Sequence, residues 1–165
     1  KKFNFLKKNT YLLDLGSSPG GWAQVARNII NSGKILSVDI KPMDKIKNVE
    51  FYMSDIFAQS TKDKIINHFP EKLDVIISDM AADTTGNKSI DSIRTNQLCS
   101  EVLILSSEIL KPQGVLISKL FMGEDFIQVK KLAKSLFKTV NFFKPHSSRS
   151  ESKETYLHCR FLKTL

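Results

Sequence analysis

The stretch Tyr11–Trp22, Y-L-L-D-L-G-S-S-P-G-G-W, constrains the fold more than any other. Tyr11, Leu12, Leu13 and Leu15 form an apolar run with a single acid inside it, which reads as a buried parallel strand. Gly16, Pro19, Gly20 and Gly21 then interrupt any regular element and make a tight loop. A helical spacing resumes at once, with Trp22, Val25, Ala26, Ile29 and Ile30 as its apolar positions. Strand, glycine loop and helix in this order seat nucleotide-like ligands in α/β folds, because glycine lets the backbone approach closely. The spacing is G-x-x-x-G-G rather than G-x-G-x-x-G, and no P-loop lysine follows. The loop therefore points to a nucleoside ligand without a pyrophosphate. The competing interpretation is an ordinary strand-to-helix turn.

A chain of 165 residues with 41% hydrophobic content is enough for one α/β domain with one core. Lys and Arg number 25 against 17 Asp and Glu, giving a net charge of +8 and a pI near 9.5. That excess favours a polyanionic partner, nucleic acid before membrane, unless it is only lysine-rich composition. Cys99 and Cys159 form no CxxC and sit near no His cluster, so neither a disulfide framework nor a metal site is expected. Reduced thiols fit a cytoplasmic protein. No apolar run is long enough to span a membrane, and no signal peptide opens the chain.

Further strands are expected over Ile35–Ile40, Val49–Met53, Leu73–Ser78, Val115–Leu120, Val140–Phe143 and roughly Glu154–Phe161. Asn31-Ser32-Gly33 reads as the stop of the first helix. Helices are expected over Ala58–Phe69, about Asp91 to Leu110, and Glu124–Lys138. Their apolar faces would be Ile65, Ile66 and Phe69; Leu98, Val102, Leu105 and Ile109; and Phe126, Val129, Leu132, Ala133, Leu136 and Phe137.

Three acids fall at or just past strand ends. Asp39 lies about 20 residues beyond the glycine loop, where an acid accepts hydrogen bonds from ribose hydroxyls in doubly wound folds. Asp55 follows the next strand, where it could meet an adenine amino group or simply cap a helix. Asp79 ends the fourth strand. Ligands in open α/β sheets lie beyond the carboxyl ends of the strands. Asp39 and Asp79 should therefore face the same crevice as the loop.

Lys119 stands inside an apolar strand. Desolvation and nearby cations favour a neutral lysine that can accept a proton; alternatively the side chain snorkels out of an edge strand. Lys144-Pro145-His146-Ser147-Ser148-Arg149-Ser150 suits phosphate contacts, or is a solvated hairpin connection.

Together, D-L-G-S-S-P-G-G-W, V-D-I-K-P-M, S-D-M-A, S-K-L-F-M-G-E, K-P-H-S-S-R-S and S-K-E-T-Y resemble the FtsJ/RrmJ family of ribosomal RNA 2′-O-ribose methyltransferases. The resemblance covers nearly the whole chain. It implies a Rossmann-like fold with a seven-stranded, mostly parallel sheet whose last strand is antiparallel. It implies S-adenosylmethionine as cofactor, seated over the loop that contains Gly16, with Gly20 and Trp22 on cofactor positions. Asp39 would hold the cofactor ribose, Asp55 the adenine amino group, and Asp79 would be both cofactor-adjacent and catalytic. Lys119 falls on the proton acceptor and Glu154 on the last member of a Lys-Asp-Lys-Glu tetrad. The family's first tetrad lysine belongs to a basic lead segment upstream of this sequence. A single methyltransferase domain over residues 1–165, lacking that lead, is therefore expected.

The implied partner is large-subunit ribosomal RNA or the assembled large subunit, with a uridine as target; a monomer is expected. A bacterial cytoplasmic or an organellar protein fits. The alternatives are another RNA 2′-O-methyltransferase such as a cap enzyme, for which no added cap-binding segment is visible, and a catalytically impaired RNA-binding assembly factor. A nicotinamide dehydrogenase is disfavoured by the loop spacing.

Overall fold

A computed structural model describes residues 4–123, 125–145 and 153–163. Its strands are β1 (Tyr11–Leu15), β2 (Lys34–Asp39), β3 (Glu50–Met53), β4 (Leu73–Ser78), β5 (Leu110–Phe121), β6 (Phe137–Phe143) and β7 (Glu154–Leu162). The helices are α1 (Gly21–Arg27), α2 (Gln59–His68), α3 (Lys88–Ile109) and α4 (Phe126–Leu136). All seven strands form one sheet in the order β3-β2-β1-β4-β5-β7-β6. β1 to β5 pair in parallel, and β7 inserts antiparallel between β5 and β6. The expected sheet is thus present, including its antiparallel last strand.

β1 lies inside the sheet between β2 and β4, which is why four of its five residues are buried. The strand alternation sends its side chains to two different cores. Leu13 and Leu15 join the larger one, with Val102, Leu103 and Leu105 of α3 and Val129 and Ala133 of α4. Leu12 joins the smaller one, with Ala26 and Ile30 beside α1.

Some sequence expectations shift. Val25 is 62% and Ile29 42% exposed, so the buried face of α1 is Ala23 and Ala26, with Ile30 just beyond the helix. Ile66 also points outward from α2. Asn31-Ser32-Gly33 does not cap α1, which ends at Arg27. Instead the N–H groups of all three donate to the Lys8 carbonyl at 2.9–3.0 Å. This brings Gly33 so close to the preceding segment that an added Cβ would lie 2.0 Å from the Thr10 carbonyl oxygen. That glycine serves close backbone approach. α3 starts at Lys88, earlier than its apolar spacing indicates, because Asn87 caps it by accepting from the N–H groups of Ser89 and Ile90. α4 is shorter than expected, and Phe137 begins β6. Lys1, Lys2, Glu124 and most of the hydroxyl-rich Lys144–Ser150 loop lie outside the described residues. Among the described residues no helix is long and apolar enough to cross a membrane.

Candidate active site

The crevice sits where the parallel strands end. Gly16 leaves β1 with a φ of +68°, and its N–H donates to the Val38 carbonyl at 2.9 Å. The chain after β4 passes directly over it. A Cβ on Gly16 would lie 2.7 Å from Met80 Cγ and 2.8 Å from Met80 N. Only glycine tolerates both the dihedral and the crossing. The loop is tied to β2 by Asp39, whose two carboxylate oxygens accept the N–H groups of Ser18 and Lys41, each at 2.8 Å. Asp55 accepts the Phe57 N–H at 2.9 Å. It does not cap α2, whose N-cap is Ala58.

A cleft of about 970 Å³ opens here, and Gly16, Asp39, Asp55 and Asp79 all line it. Gly20 and Trp22 lie beside the cleft instead. Gly20 is the N-cap of α1 and backs onto Met43 and Ile46. The Trp22 ring packs 5.6 Å from that of Tyr156. The donor set fits a cationic nucleoside. Asp39 and Asp55 are acceptors for hydroxyl or amino donors, since an ionised carboxylate can accept more bonds than the backbone supplies here. Asp79 adds a third carboxylate for a positive group. Among the described residues no group of three or more His, Cys, Asp or Glu side chains could hold a metal ion.

At the Asp79 end of the cleft lies a compact polar cluster. β5 runs between β4 and β7, so Lys119 is not on an edge strand. Its side chain is only 12% exposed. Its Nζ lies 2.9 Å from an Asp79 carboxylate oxygen and 3.7 Å from a Glu154 carboxylate oxygen. The register explains the meeting. Lys119 stands opposite Tyr156 across the β5–β7 pair, and Glu154 stands opposite Phe121. Lys119 is thus largely covered and paired, not snorkelling.

Tyr156 was not singled out by residue reasoning, although S-K-E-T-Y contains it. Its hydroxyl donates to Asp79 at 2.6 Å and lies 3.4 Å from Glu154. Burial, followed by the Asp79 bond and charge, pushes the phenol far above its ordinary value, so it stays a donor. The rings of Trp22 and Phe143 pack 5.6 and 5.7 Å from its own. A Tyr156→Phe variant, which removes the hydroxyl and with it the contacts to Asp79 and Glu154, should turn over about tenfold more slowly while binding cofactor normally. Single-turnover rates together with calorimetry check this.

Asp14 is the acid inside the first apolar run. It is fully buried, one oxygen has no partner, and the other meets only the Ser37 hydroxyl at 3.5 Å. Burial pushes its carboxyl up to about 7, and the charges of Asp79 and Asp39 add to this. In the unfolded chain the group ionises near 3.8. The folded state therefore holds the extra proton between those values. Stability from this group is lost as pH rises through that window. Asp14→Asn removes the dependence. The difference in unfolding free energy between variant and wild type should move in favour of the variant by roughly 2–3 kcal/mol between pH 5 and pH 8. Urea unfolding at several pH values would show it.

A glycine loop, three strand-end acids and an antiparallel seventh strand on this sheet define a Rossmann-like methyltransferase. The chain belongs to the FtsJ-like methyltransferase family, whose model matches residues 1–162, and S-adenosylmethionine is its methyl donor. It is 41% identical over 163 residues to the ribosomal RNA large subunit methyltransferase E of Pelagibacter ubique, covering 99% of this chain and 80% of that protein. It is 42% identical to the protein of the same name from Rickettsia akari, covering 95% of this chain and 72% of the relative. A crystal structure from Plasmodium falciparum, described as a ribosomal RNA methyltransferase, superimposes with a TM-score of 0.85 at 31% identity, covering 98% of this chain and 91% of that one.

Proposed function

We propose that this enzyme methylates the 2′-oxygen of a uridine ribose in large-subunit ribosomal RNA, as a monomer acting in the bacterial cytoplasm on the assembled or assembling subunit. The observation that carries the reading is Lys119, held between Asp79 and Glu154 at one end of the cleft. Relatives named for the large ribosomal RNA support the substrate.

S-adenosylmethionine supplies a methyl group on a positively charged sulfur. Asp39 would accept from its ribose hydroxyls and Asp55 from its adenine amino group. Gly16 would keep the floor of the site open. Gly20 would shape the start of α1 beside the cofactor, and Trp22 would support the Tyr156 ring. A ribose hydroxyl is a poor nucleophile until its proton leaves. Lys119, as the neutral amine, takes that proton when the oxygen is alkylated. Asp79 and Glu154 fix the direction of the amine, and Tyr156 fixes Asp79. Holding the hydroxyl in line with the methyl group is an orientation effect, and such effects are among the largest in catalysis.

The test is labelled methyl transfer to large and small ribosomal subunits from cells lacking the modification, and to the same RNAs stripped of protein. Label confined to large-subunit RNA is expected, with the assembled subunit preferred. Label on small-subunit RNA alone, or none despite measured cofactor binding, would refute the substrate assignment.

A further inference from the structure

The charge of +8 is not spread evenly. Residues 126–150 contain six basic residues and no Asp or Glu, while the rest of the chain holds 19 basic against 17 acidic residues. Among the described residues this block is α4 and the edge strand β6. Lys131, Lys134 and Lys138 are exposed there, and so is Lys163 at the end of β7. The Lys163 amine donates to the Lys134 carbonyl at 2.6 Å, which joins it to the last turn of α4. Among the described residues none of Lys130, Lys131, Lys134 and Lys138 has a carboxylate within 4.0 Å. By contrast Lys41, Lys111 and Lys119 are all paired.

A solvated helix face ordinarily mixes both signs. Here like charges stand three and four residues apart on one helix, which disfavours the helix unless something anionic lies against it. Neighbours at that spacing are ~5–6 Å apart at Cβ and can reach successive groups of a polyanion. The placement also matters. α4 begins just after the segment that follows Lys119 and runs back along the sheet, so its lysines lead away from the crevice.

We infer that the α4–β6 edge is a phosphate-binding face. It holds the backbone of folded RNA flanking the modified nucleotide and lies outside the cleft that takes the cofactor. The inference rests on the RNA substrate proposed above and extends it to a second contact. Phosphate contacts of this kind fix register and add affinity without reading sequence.

The test replaces Lys131, Lys134 and Lys138 together by Gln. A control carries the same charge change at three exposed lysines elsewhere, Lys45, Lys64 and Lys72. Binding to a folded large-subunit RNA fragment is measured against salt concentration, without turnover. Each lost phosphate contact lowers the slope of log affinity against log salt by ~0.7–0.9. A fall of about 2 to 3 is expected for the edge variant, with a raised KM for RNA, an unchanged kcat and unchanged cofactor affinity. The control should keep nearly the wild-type slope.

Equal losses in both variants would mean only net charge matters and would overturn the proposal. An unchanged slope in the edge variant would overturn it too, including the case where that variant instead loses binding to vesicles of anionic lipid. Failure of the substrate assignment is seen separately, as wild-type enzyme that binds this RNA but places no methyl group on it.

Discussion

Lys119→Ala should lower methyl transfer by about 10³-fold, the range expected for loss of a positioned general base, and leave cofactor affinity nearly unchanged. The prediction follows from where the amine sits. It is largely removed from solvent and touches Asp79 and Glu154, and it is absent from the walls of the cofactor cleft. Lys119→Arg separates two possible roles. Arginine keeps a positive charge for the two carboxylates but cannot give up its proton. If Lys119 only neutralises Asp79 and Glu154, arginine restores most of the activity. If it accepts the hydroxyl proton, arginine is as inactive as alanine. Single-turnover rates with saturating cofactor decide between them, and near-normal turnover in the alanine variant would rule out Lys119 as the base.

Gly16→Ala is expected to have the second-largest effect, and for a different reason. The new methyl group would press on the side chain and backbone of Met80 at under 3 Å, in a residue already at a φ of +68°. The left-handed conformation costs an alanine roughly 1–2 kcal/mol, and overpacking adds about 1–3 kcal/mol. A loss of roughly 2–5 kcal/mol in unfolding free energy should result. Met80 follows Asp79 directly, and the Asp79 N–H is held by the Leu15 carbonyl at 3.0 Å. Displacing Met80 therefore shifts a wall of the cleft, and cofactor affinity should fall more than tenfold. Urea unfolding and calorimetry measure the two effects. An alanine variant with wild-type stability and wild-type cofactor affinity would show that the Met80 crossing does not constrain the site.

The order of elements was legible because strand and helix periods differ and glycine and proline punctuate them. The strand-end rule placed Asp39 and Asp79 in the crevice of the glycine loop, and both line it with Gly16; Asp55, which the sequence left open between a ligand contact and a helix cap, lines it as well. Other features depend on distant partners. Whether Lys119 snorkels or is buried turns on which strand flanks β5, and only the insertion of β7 next to it decides that. Tyr156 could have been found from one signal, its position two residues after Glu154 on the same strand face. Its bond to Asp79 spans 77 residues and has no local signature. The exposed Val25 and Ile29 show the limit of periodicity, since α1 is short and only its Ala23 and Ala26 line faces the sheet. Gly33 carried a stop signal in its residue type, yet its actual constraint is the passing Thr10 backbone. The lysine edge was hidden in the overall charge, because total composition does not show which surface lacks acids.

The central claim is that the methyl group lands on a ribose oxygen whose proton goes to Lys119. The most direct measurement is to label large-subunit RNA with the enzyme and labelled S-adenosylmethionine, hydrolyse it completely in alkali, and separate the products. Alkaline cleavage needs the free 2′-hydroxyl, so a 2′-O-methyl group protects its own phosphodiester bond. Label is expected in an alkali-stable dinucleotide that begins with uridine, and it should be absent when Lys119→Ala enzyme is used. Label recovered in mononucleotides would place the methyl group on a base and contradict the account.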